Sequence, residues 1–155
     1  MHPGDRLVCA FTTQHRVGDR FTEWPLHVTI VPWFRLALES EDLAKELEQA
    51  LAGIKSFQVV LVGASQFGHS KGKTAHLVQL PTSFIQIEQI VRDGLKRHGA
   101  WLVDETTRLR RDYRPHVTNQ KSEQTQMGAT FMCDRLYIVE QKGGYKEVVA
   151  TVELA

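Results

Sequence analysis

The sequence predicts an α+β fold, with antiparallel sheets and helices packed on their outer faces. Two observations carry that expectation. Apolar, β-prone runs are numerous, and just two windows with helical periodicity interrupt them. The order strand, His-bearing strand, helix, strand is then followed by strand, helix, His-bearing strand and hairpin, the outline of a duplicated unit. No low-complexity segment or linker divides the chain, so residues 1–155 are expected to form a single domain with two pseudo-symmetric halves.

Arg6-Leu7-Val8-Cys9-Ala10-Phe11 is the first expected strand, and the polar stretch 12–20 a loop leading into the strand at 25–31. Ser40 is placed to cap a helix, with Glu41 and Asp42 in its first turn. Leu43, Leu47, Ala50, Leu51 and Ile54 follow at helical spacing, and Gly53 is positioned to stop the turn. Residues 57–62 and 74–80 read as strands, joined by a connection containing Gly68, Lys71, Gly72 and Lys73. Past Pro81, Ser83 is the expected cap of a second helix that carries Phe84, Ile87, Val91 and Leu95 on one face and closes at His98-Gly99. After the strand with His116, residues 131–154 read as a hairpin across Lys142-Gly143-Gly144. Val148, Ala150, Val152 and Leu154 are expected to alternate on one of its faces.

Composition narrows the function. A hydrophobic content of 42% and a charged content of 24% are those of an ordinary soluble globular protein. The net charge of +1 argues against charge-driven wrapping of a long polyanion, so an RNA end or small fragment is the nucleic-acid partner it allows. Met1-His2-Pro3-Gly4-Asp5-Arg6 lacks the apolar stretch of a secretory signal, and no run approaches the roughly 18 residues of a membrane span. The expectation is a cytoplasmic protein with no membrane partner. Cys9 and Cys133 have no C-x-x-C or Cys/His ligand spacing, so neither a disulfide framework nor a structural zinc site is expected.

The tripeptide His-Val-Thr occurs at His27-Val28-Thr29 and again at His116-Val117-Thr118, 89 positions apart. Random order of the same residues produces two copies with odds of about one in a thousand. In an extended strand alternate side chains share a face, so each copy sets an imidazole beside a hydroxyl with the valine turned away. Two imidazoles supply an acid and a base near neutral pH, and two hydroxyls hydrogen-bond the oxygens of a small anion. That combination points to phosphate-ester chemistry.

These residues resemble the two-histidine (2H) phosphoesterase superfamily, which includes bacterial RNA 2′,3′-cyclic phosphodiesterases long described as 2′-5′ RNA ligases. The likeness rests on the paired His-x-Thr motifs, their separation, Pro115 ahead of the second motif, and the order of helices and strands through the closing hairpin. It implies two antiparallel lobes forming a central cleft, with the motifs facing one another across it. It also implies His27 and His116 as the catalytic pair, and Thr29 and Thr118 as holders of the phosphate oxygens. The implied substrate is a cyclic phosphodiester at an RNA end or in a small nucleotide, opened by water without metal or cofactor, with ligation as the possible reverse reaction. Because the two histidines must hold opposite protonation states, a bell-shaped pH–rate profile around the free-imidazole pKa of about 6.5 is expected. The chain departs from the family pattern at Asn119, where an aliphatic residue is common, and at Leu26, which separates Pro25 from His27. A monomer is expected.

The competing reading is a binding module that holds a phosphorylated RNA end or nucleotide without cleaving it. Retention of both histidines weighs against it, since Arg or Lys would hold an anion as well. Among other candidates, Asp104, Glu105 and Asp112 offset three of the charges on Arg108, Arg110, Arg111 and Arg114, leaving Arg114, nearest the motif, as a phosphate ligand. Phe67 and Tyr113 are the candidate aromatics for stacking on a base, with buried packing the alternative for each. Lys71 and Lys73 read as turn residues, His76 as a structural histidine sharing a face with Val78 and Leu80, and His2, His15, His69 and His98 as surface residues. With no H-x-x-x-H spacing, no metal site is expected.

Overall fold

The computed structural model describes residues 2–66, 74–103 and 113–155. Within these, the strands are Arg6–Phe11 (β1), Arg20–Phe21 (β2), His27–Arg35 (β3), Phe57–Gln66 (β4), Thr74–Val78 (β5), Trp101–Leu102 (β6), His116–Thr118 (β7), Thr130–Cys133 (β8), Arg135–Gln141 (β9) and Lys146–Glu153 (β10). The helices are Ser40–Ala50 (α1) and Thr82–Arg97 (α2). Strands pair antiparallel in the order β2-β10-β9-β1-β3-β7-β5-β4-β8, with β6 also on β3. This is the expected α+β class. The β3–β7 pair joins β2, β10, β9 and β1 on one side to β5, β4 and β8 on the other, in one connected order.

Burial follows the strand period. Val28 and Val117, cross-strand partners on β3 and β7, have no solvent exposure. With Val8, Ile30, Leu136 and Ile138 they form one cluster with Leu43 and Leu47 of α1 and Phe84, Ile87, Val91 and Leu95 of α2. Each of those large side chains contributes about 1.5–3 kcal/mol by leaving water. Both helices therefore cover the same face of the sheet. A smaller cluster, Leu7, Cys9, Phe11, Tyr137, Val139 and Val148, lies apart from it and is topped by Phe21, Trp24 and Trp33.

Several local expectations change. Ser40 is the first helical residue rather than the cap; Glu39 precedes it without a side-chain cap bond, and the Ser40 hydroxyl instead accepts a hydrogen bond from Arg6 Nη1 at 3.0 Å. The second helix starts at Thr82 with Pro81 as its cap residue, ahead of Ser83. It stops as expected, because Gly99 adopts a φ of +80° that favours glycine. Leu80 does not share a face with His76: it has a φ of +52° and is exposed, while His76 is buried. The tail is not one hairpin, since β8 pairs with β4 and the hairpin is β9–β10 alone. Within β10 a register shift between Val148 and Ala150 breaks the expected alternation, so Val148 joins the smaller cluster and Ala150 and Val152 the larger. Cys9 and Cys133 are free and buried, and no helix is long and apolar enough to cross a membrane among the described residues.

Candidate active site

The valine pair fixes the geometry. An antiparallel register with Val28 opposite Val117 sets His27 opposite Thr118 and Thr29 opposite His116. Side chains alternate, so all four lie on the face turned away from the helices, half-buried where the valines are fully covered. The two imidazoles occupy a diagonal, with Cβ atoms about 7 Å apart, and each hydroxyl stands opposite the other motif's ring. The motifs are thus neighbours within a sheet.

Both rings are held alike. Nδ1 of His27 lies 2.8 Å from the carbonyl of Pro25, and Nδ1 of His116 lies 2.8 Å from the carbonyl of Arg114. A carbonyl only accepts, so each Nδ1 carries the proton, and each neutral ring keeps its lone pair on Nε2. Burial pushes His27 down to about 4, against the pull of the Pro25 carbonyl, and repulsion from His116 lowers it further. Burial also lowers His116, by a smaller shift, and the Arg114 guanidinium adds to that effect.

The two motifs differ three residues upstream of the histidine. Trp24 stacks on His27, with ring centroids 4.3 Å apart and planes 29° apart. At the matching position, Tyr113 packs against the main core, and its hydroxyl donates to the Thr29 carbonyl at 2.8 Å. Tyr113 is therefore a packing residue that ties the second motif to β3, not a platform for a base. Trp24 escaped the sequence reading. The signal was a tryptophan at the offset from His27 that Tyr113 has from His116.

Phe11, on the strand beside β3, lies 6.3 Å from the His27 ring, 4.8 Å from Tyr137 and 4.1 Å from His15. His15, expected at the surface, is half-buried, with Nδ1 3.4 Å from the Asp19 carboxylate. Next to Phe11 opens a cavity of about 360 Å³ lined also by Thr12, Thr13, Gln14, Met132, Asp134, Arg135 and Tyr137. No group of three potential metal ligands occurs among the described residues. Phe67, His69, Lys71, Lys73, Arg108, Arg110 and Arg111 lie outside the described residues.

An antiparallel α+β fold that sets two His-x-Thr motifs side by side is that of a 2H phosphoesterase. The chain belongs to the 2′-5′ RNA ligase superfamily, whose family model matches residues 6–144. Its fold is similar to Escherichia coli LigT complexed with 3′-AMP, at 15% identity and a TM-score of 0.57 over 99% of both chains. It is also similar to TT0787 of Thermus thermophilus, at 14% identity and a TM-score of 0.55 over 97% of both chains. Kluyveromyces marxianus Usb1 aligns at 14% identity and a TM-score of 0.53, covering 98% of this chain and 99% of that one. No curated protein is a significant match.

Proposed function

We propose that the chain is a metal-independent phosphodiesterase that hydrolyses a 2′,3′-cyclic phosphodiester, at an RNA end or in a small nucleotide, using His27 and His116. The observation that supports this reading is the crossed register of the two motifs, which puts His27, Thr29, His116 and Thr118 on one face of adjacent strands with both Nδ1 atoms held by carbonyls. His27, the more strongly lowered of the pair, is the base: its Nε2 takes a proton from water as the water oxygen bonds to phosphorus in line. The P–O3′ bond breaks, and His116 gives its Nε2 proton to the departing O3′, leaving a 2′-phosphate. Thr29 and Thr118 hold the non-bridging oxygens, and Arg114 offsets their charge. The cavity beside Phe11 gives the nucleoside room. That an E. coli relative binds 3′-AMP supports a nucleotide as ligand. The protein acts as a monomer in the cytoplasm.

The test is incubation of the purified chain, with EDTA present, with an oligonucleotide ending in a 2′,3′-cyclic phosphate. Ring opening to the 2′-phosphate is expected. His27→Ala and His116→Ala should each lower kcat by about 10²–10⁴. A folded wild-type chain that turns over no cyclic phosphate would remove the reading in favour of a binding module.

A further inference from the structure

All three tryptophans of the chain, Trp24, Trp33 and Trp101, lie outside the main core, which takes Phe, Leu, Ile and Val instead. They are on the face that carries the histidines. Trp24 stacks on His27, and its ring centroid is 6.2 Å from that of Trp33. Further along β3, Phe34 and its partner Leu102 point into the core, at 0% and 3% exposure. Their neighbours Arg35 and Trp101, also cross-strand partners, therefore point the other way, on the side of Trp33. From His27 to Arg35 the row spans roughly 26 Å of extended strand.

Two of the three rings carry a cation. Lys146 Nζ lies 5.6 Å from the Trp24 centroid, and the Arg35 guanidinium lies 4.7 Å from that of Trp101. Arg35 Nε donates to Asp5 Oδ1 at 2.8 Å, and the Arg35 side chain stays 48% exposed. Trp101 itself is 44% exposed. Trp101, exposed with a guanidinium over its ring, offers an aromatic surface and a cation together, the pairing that suits a stacked base and its phosphate. Every base has a π-face, so such a row is tolerant of sequence.

Resting on the proposed activity, we propose that this row binds the single-stranded nucleic acid leading away from the reacting end, its bases on the tryptophans and its phosphates at Lys146 and Arg35. The natural substrate is then an oligonucleotide rather than a mononucleotide.

Length dependence tests it. A pentanucleotide ending in a 2′,3′-cyclic phosphate should exceed the mononucleotide cyclic phosphate in kcat/KM by at least about fivefold, the worth of one weakly stacked base. Most of that advantage should be lost in Trp101→Ala and, in a second variant less exposed to misfolding, in Lys146→Gln. Equal kcat/KM for the two lengths in the wild-type chain overturns the proposal and leaves the phosphodiesterase reading standing. Should neither be turned over, that reading falls, and tryptophan fluorescence decides the present one. A 3′-phosphorylated pentanucleotide should bind at least about fivefold tighter than the mononucleoside 3′-phosphate. Equal binding of the two, or equal quenching by poly-glutamate, would overturn the extended site.

Discussion

His27 is a histidine kept neutral, with one proton on Nδ1 and none on Nε2. Burial lowers it to about 4, and His116 is lowered as well, so the expected profile centred on 6.5 moves. In the free enzyme the base must be neutral, and kcat/KM falls as pH drops through about 4. The acid must be protonated, and kcat/KM falls again as pH rises through a His116 value below about 6.5. The optimum is therefore expected on the acid side of 6.5, read from kcat/KM between pH 3.5 and 8. Trp24→Ala opens the His27 ring to water, which relieves the burial, so the acidic limb should move up towards the ordinary imidazole value. An unmoved limb would mean that Trp24 does not set the environment of His27. The histidines and threonines were legible because their meaning lies in three consecutive residues. Trp24 was not, because its stacking depends on how the chain turns into β3. Arg114 was legible as a charge near the motif, but its influence on His116 was not.

At the level of elements, Glu88 and Arg92 stand four apart on α2. The structure buries both, at 4% and 5% side-chain exposure, with Arg92 Nε on Glu88 Oε1 at 2.8 Å. Glu88→Gln removes the carboxylate that Arg92 Nε meets and should lower the urea midpoint. Replacing both by methionine should be much nearer neutral. The opposite sign is expected at Gly94, in the interior of α2. A Cβ there would meet Leu47 Cδ2 at 3.5 Å, an ordinary contact, so Gly94→Ala should stabilise by about 0.5–1 kcal/mol through helix propensity. An unchanged or lowered urea midpoint would mean that the α1–α2 contact cannot accept the methyl. Helix existence was readable from periodicity, and the α2 stop from glycine. The β10 alternation misled because a single bulged residue between Val148 and Ala150 moves the strand from one cluster to the other.

For the whole molecule, the folded state is penalised by any proton that His27 takes up. Its folded pKa of about 4 lies below the unfolded value of about 6.5, so between those pH values the unfolded chain binds more protons and stability falls as pH falls. The wild type should lose about 3 kcal/mol more than His27→Gln on going from pH 7 to 4, compared by urea unfolding. Identical pH dependence in the two chains would show that His27 is not held neutral by the fold. The sequence by itself determined the α+β class, most strand and helix positions, and the two His-Val-Thr motifs, because alternation, helical spacing and turn chemistry act over a few residues. Only the tertiary structure decided that β3 pairs with β7 at Val28 and Val117, that Trp24 covers one histidine and Tyr113 ties down the other motif, and that Trp33 packs beside Trp24. Register between strands 89 positions apart is set by which side chains the assembled core can bury, and no local pattern carries that information.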